Sequence, residues 1–141
     1  MVVPSAHAAT STITEAVAPS ELLASSTVTA KANAVVATNA FSLIQPSGSA
    51  TLNSISVVIV DPNGSGLASS SIASISLRKE SGATSNFQVG EDLAVAGAAV
   101  NNPTIGTSTT LTPSTPETIG TSTVKYYIVV TIAASPTNNH S

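Results

Sequence analysis

The chain has 141 residues, a formal net charge of -3 and only 8% Asp, Glu, Lys and Arg, about a third of the share in an average soluble domain. Hydroxyls stand in for the missing charge: 23 Ser and 19 Thr together make 42 residues, beside 21 Ala. Four scattered basic residues cannot neutralise a run of phosphates, which argues against nucleic-acid binding, and no apolar run approaches the roughly 20 residues of a membrane-spanning helix. Cysteine is absent, so there is no disulfide framework, thiolate metal site or cysteine nucleophile. The two histidines, His7 and His140, lie at the chain ends, which argues against His-based catalysis and His-rich metal sites. Mean hydropathy is +0.34, the opposite of a disordered composition, and one domain of ordinary size is expected.

Residues 1–9, MVVPSAHAA, read either as the tail of a secretory signal, with Ala6-His7-Ala8 as the small-x-small site, or as an Ala-rich tail. Residues 10–32 form an N-terminal extension rich in Thr, Val and Ile that reads as mostly extended. Pro19 interrupts it, and Ser20 can cap one helical turn over SELLAS. From residue 33 strand signals dominate. A strand is expected over Val35 to Ile44, closed by a Pro46-Ser47-Gly48 turn. ATLNSISVVIV follows, apolar on both faces near its end, as suits a central strand. Asp61-Pro62-Asn63-Gly64 is a turn in which Asp bonds its own backbone, Pro presets φ and Gly supplies a positive φ.

Residues 71–80, SIASISLRKE, alternate in the manner of a half-buried strand. A short strand is expected at Phe87 to Val89, then a turn at Gly90, with a helix conceivable over 91–96 before Gly97. Residues 104–120 read as a Thr-rich edge strand plus a loop. TVKYYIVVTIA, residues 123–133, is the strongest strand signal in the chain. Residues 135–141 are a polar tail. Six or seven short strands, punctuated by Gly, Pro, Asn and Ser, predict an all-β fold: an immunoglobulin-like antiparallel β-sandwich over 33–134 with an extended N-terminal strand.

The run ATLNSISVVIVDPNGSG, IASISLRKESG, FQVGED and TVKYYIVVTIA resembles bacterial surface β-sandwich modules, including those found beside neuraminidase propellers. Such modules usually continue into one more strand, whereas the mostly polar run ASPTNNHS follows Ala133 here. The free N-terminal extension resembles that of secreted filament subunits that polymerise by donor strand. One end is thus read as lacking a strand and the other as carrying a spare. The extension either folds back onto its own domain or inserts into the next copy by β-strand addition, a head-to-tail contact that propagates into a filament. Ile13, Val17, Leu22, Leu23 and Val28 are the candidate plugs, and the acceptor groove is expected between the first strand (Val35 to Ile44) and the last (Val124 to Ile132).

Other sites are weighed against plainer readings. Seven carboxylates have no His, Cys or Lys placed as partner, and no GxSxG occurs, so no enzymatic activity is expected. Calcium is a candidate ligand of Asp61, Asn63, Glu80, Glu91 and Asp92, against a tight turn plus a solvated acidic loop. Surface glycans have acceptor sequences at Asn63 and Asn139 and in the Ser/Thr-Pro stretch 107–123, against a plain Thr-rich edge. Tyr126 and Tyr127 are read as core residues rather than a sugar platform. The expected function is a secreted structural subunit that polymerises with itself into an extracellular, pilus-like filament by donor-strand complementation. The alternative is a monomeric cell-surface adhesive or carbohydrate-binding module.

Overall fold

The computed structural model describes residues 12–15, 33–60, 68–82, 84 and 86–135. Nine strands succeed one another: β1 (Thr12–Glu15), β2 (Val35–Ile44), β3 (Ala50–Leu52), β4 (Ile55–Val58), β5 (Ile72–Lys79), β6 (Leu93–Asn101), β7 (Ser108–Leu111), β8 (Glu117–Ile119) and β9 (Val124–Ile132). The only helical element among the described residues is a 3-10 turn at Ser69–Ser71. All pairings are antiparallel. Five strands make one sheet in the order β1-β2-β9-β5-β6, and two ribbons, β3-β8 and β4-β7, complete the fold.

The five-stranded sheet and the ribbons share one core. Phe41 and Leu43 of β2, Ile72, Ile75 and Leu77 of β5, Val95 and Ala98 of β6, and Tyr126, Ile128 and Val130 of β9 cluster with Leu111 of β7 and Ile119 of β8. Leu52, Ile55 and Val57 from β3 and β4 pack against it. The chain is therefore all-β, with antiparallel sheets packed face to face as in a sandwich. Its first and last strands after residue 33, β2 and β9, are direct neighbours in one sheet.

β9 lies at the centre. Tyr126, Tyr127, Ile128, Val129 and Val130 are all buried, so both faces of this strand are covered, as its run of β-branched and aromatic residues requires. Phe41 lies opposite Tyr126 in register, and the two rings stack at 5.6 Å between centroids, a cross-strand pair of the kind that stabilises sheets. Both tyrosines are core residues, as expected.

Several sequence expectations change. ATLNSISVVIV divides at Asn53-Ser54 into β3 and β4, each paired with one partner only. It is not a central strand: Val58 and Val60 are 51% and 57% exposed, and among the described residues β4 pairs with β7 alone. Residues 87–92 form turns rather than a strand, and residues 93–101 are strand β6 rather than a helix. The 104–120 segment yields two strands, β7 and β8, not one. β5 departs from strict alternation by a register shift between Ile72 and Ser74, which brings Ile72 into the core beside Ile75 and Leu77. The 61–64 turn, the SELLAS turn, both Asn acceptor sites and the chain ends 1–9 and 136–141 lie outside the described residues.

The last strand of the sheet, β6, is strongly irregular. Between the pairs Ser76↔Ala99 and Arg78↔Ala94, β5 supplies one residue and β6 four. Gly97 sits in this bulge with φ +79, and a side-chain carbon there would lie 2.7 Å from the Ser114 nitrogen. Only glycine tolerates that φ together with so close an approach. The Ser114 amide donates to the Ala96 carbonyl at 2.7 Å, so a loop from elsewhere in the chain closes the exposed ladder.

Candidate functional site

Two places in the molecule gather the residues that the sequence singled out. The first is the outer edge of β2. There β1 runs antiparallel in the register Thr12↔Ile44, Ile13↔Leu43, Thr14↔Ser42 and Glu15↔Phe41. Four residues of the N-terminal extension thus add as an edge strand to the C-terminal half of β2. Ile13 falls in this strand, while Val17, Leu22, Leu23 and Val28 lie outside the described residues. The acceptor groove is not where it was expected. β2 and β9 pair directly from Val35↔Thr131 to Leu43↔Val124, so no strand can enter between them. A four-residue strand far away in sequence pairs with the other side of β2 instead. Strand order was not legible because two apolar alternating segments read alike whether they pair or flank a gap.

The second place is the connection between β5 and β6, residues 80–92. Asp92 is only 3% exposed, and its carboxylate braces the loop. Oδ2 accepts from the Gln88 amide at 2.7 Å, and Oδ1 accepts from the Ser81 amide at 3.2 Å. The Glu91 and Asp92 amides in turn donate to the Gln88 carbonyl at 3.2 and 3.0 Å. Ser81 Oγ donates to the Glu91 carbonyl, and Arg78 Nη1 donates to the Asp92 carbonyl at 3.2 Å. Glu80 Oε1 accepts from the Gly82 amide at 2.9 Å, and Glu80 Oε2 accepts the hydroxyl of Tyr127. Phe87, expected in a strand, instead sets its ring against Tyr127 at 5.4 Å, and Lys125 Nζ lies 5.1 Å from the centre of the same ring, within cation–π range.

Of the calcium candidates, Glu80, Glu91 and Asp92 therefore belong to one loop, while Asp61 and Asn63 lie outside the described residues. Among the described residues no three His, Cys, Asp or Glu side chains converge as a metal group. Asp92 is occupied with backbone amides, which is a structural role. Gln88, Gly82, Phe87 and Tyr127 were missed as members of this cluster. The one usable signal was the Gly82 turn followed within ten residues by an aromatic, an amide and two acids.

A polar link also joins β5, β8 and β9. Lys79 Nζ meets Glu117 Oε2 at 2.7 Å, and the same oxygen accepts the Tyr126 hydroxyl at 3.3 Å. Burial, followed by the negative charge of Glu117, raises the Tyr126 hydroxyl well above its ordinary value, and burial with the Glu80 hydrogen bond does the same at Tyr127. Both stay protonated donors at neutral pH. Among the described residues no helix is long and apolar enough to cross a membrane. Comparison with protein-family models, with curated proteins and with solved structures finds no match to this chain.

Proposed function

We propose that this chain is a secreted structural subunit of an extracellular filament, polymerising head to tail by exchange of its N-terminal strand. One observation carries the reading: β1 occupies the edge of β2, yet the nineteen residues 16–34 separate the two strands. Adjacent antiparallel strands are ordinarily joined by two to five residues. A connection of nineteen spans up to about 60 Å when extended, more than the width of a domain of this size. The same four-residue pairing is thus within reach of a neighbouring copy, without any new surface. The contact is heterologous and propagates if its rotation does not close. The low charge fits: 8% charged residues leave little repulsion between copies.

The rival reading, a monomeric cell-surface adhesive or carbohydrate-binding module, takes the β1–β2 pairing as complete within one chain. A cysteine pair separates the two, because the native chain has none. Thr14 and Ser42 lie directly opposite each other, within disulfide range for facing strand residues. In the variant Thr14→Cys/Ser42→Cys, strand exchange gives a ladder of covalent oligomers on a non-reducing gel, alongside fibres in negative-stain micrographs. A single intramolecularly closed monomer band, with no fibres, overturns the filament reading in favour of the module.

A further inference from the structure

An edge strand offers unpaired backbone groups to other chains, and folds blunt it with charge, proline, bulges or cover. The edges here are protected unequally. β6 is bulged and tied to Ser114, and β2 is covered by β1 over Phe41 to Ile44. In the ribbons, Pro113 and Pro116 lie between β7 and β8, β8 carries Glu117, and β3 is three residues long. β4 has none of these devices. The run ISVVIV, residues 55–60, holds no charge and no proline, and β4 meets β7 without a register shift. No residue from 33 to 60 is charged. One hydrogen bond shows which way the strand faces. The Ile59 carbonyl accepts from the Gly106 amide at 2.8 Å, and alternate residues of an antiparallel strand bond to opposite sides. Ile55, Val57 and Ile59 thus turn their backbone groups to β7, and Ser56, Val58 and Val60 turn theirs to the other side, where among the described residues no strand pairs. The side chains of Ser56, Val58 and Val60 are also the exposed ones, while Ile55, Val57 and Ile59 pack against the core.

We infer that β4 pairs edge to edge with β4 of a second copy of this chain, antiparallel about a two-fold axis through Val58. In that register each Val58 lies opposite its own counterpart, and each Ser56 lies opposite the other chain's Val60. All three open residues of each strand then find backbone partners. Any other register that keeps them facing leaves at least one beyond the end of the other strand. A second copy fits this edge because the side-chain period matches and no like charges meet. The exposed valines of both chains gather on one side, and Val57 and Ile59 of each continue the apolar side on the other. The contact is isologous, so it closes at two copies. It uses no part of β1 or β2 and holds whether or not strand exchange occurs there. Where both occur, it joins two filaments side by side.

Single cysteines in the full chain test this, because the native chain has none and Ser56, Val58 and Val60 are exposed enough to accept one. The Cα atoms of a hydrogen-bonded antiparallel pair lie about 5.5 Å apart, within disulfide range. Val58→Cys should therefore oxidise to a covalent dimer on a non-reducing gel, at high protein concentration because an edge contact is smaller than a standard interface. Ser56 stands four residues, about 13 Å, from its own counterpart, and so does Val60. Ser56→Cys and Val60→Cys should each crosslink at least about tenfold more slowly than Val58→Cys, yet a mixture of the two should give the mixed dimer. Crosslinking at Val58 no faster than at Ser56, or a mixture that yields no more mixed dimer than either variant yields alone, overturns the contact. The Thr14→Cys/Ser42→Cys ladder reads strand exchange separately, so either contact can fail without the other.

Discussion

The two edges of the five-stranded sheet are finished in different ways. At one edge, β6 bulges by three extra residues opposite β5, turns through Gly97 at φ +79, and gives its Ala96 carbonyl to the Ser114 amide. Its protection comes from the body of the domain. At the other edge, β2 is covered over Phe41 to Ile44 by four residues from beyond a nineteen-residue connection. An edge bent and covered by its own fold cannot readily template another chain. An edge covered by a distant, separately tethered strand can exchange that strand with a neighbour. The contrast makes β2 the edge that the proposed strand exchange would use, and β6 the edge that the fold itself closes.

The largest effect should come from removing the exchangeable strand. Deleting residues 1–30 takes β1 away and leaves the core cluster from β2 to β9 in place. The full chain should form fibres in negative-stain micrographs and the truncated chain none, and fibres that persist after the deletion would break the contrast. Next is the β6 edge: Gly97→Val forces a branched side chain into positive φ and against Ser114, at a cost of about 3 kcal/mol or more in urea unfolding. Gly48, with φ +74 and open space around it, provides the control. Gly48→Ala should cost only about 1 kcal/mol, so equal losses at the two glycines would show that Ser114 does not close the edge.

The centre of the sheet gives a pH test between the two edges. Tyr126 and Tyr127 hold their protons above the ordinary tyrosine value of 10.0. Above pH 10 the unfolded chain has released protons that the folded one keeps, so folding stability is complete below pH 10 and falls as pH rises. The slope is about 1.4 kcal/mol per pH unit for each tyrosine, and urea midpoints at a series of alkaline pH values would record it. In Tyr127→Phe the slope should halve. The smallest effect belongs to Lys79→Met, which removes the partly exposed ion pair to Glu117 and should cost about 0.5 kcal/mol at neutral pH.

Much of the frame was legible from residue types. β2, β5 and β9 stand where alternating apolar residues placed them, and Tyr126 and Tyr127 lie in the core. β6 was less legible because LAVAGAAVN is small and weakly patterned, equally at home in a helix. Its pairing with β5 decides the matter. Val58 and Val60 misled for the opposite reason: β-branched residues on both faces suggest double burial, but among the described residues β4 pairs with β7 alone. In the 80–92 loop, Glu80, Glu91 and Asp92 were visible as acids. Their separate jobs depend on which backbone amides come within reach of Asp92.

Composition and period thus settle the all-β class, the absence of cysteine chemistry and the identity of the strongest strands, because burial and pleat are properties each segment carries along its own length. Strand order is different. That β2 lies against β9, that β1 takes the outer edge, and that the Ser114 amide reaches the Ala96 carbonyl all depend on contacts between residues far apart in the chain. No local pattern encodes such a contact, since any alternating strand pairs with any other until packing of the shared core selects one arrangement.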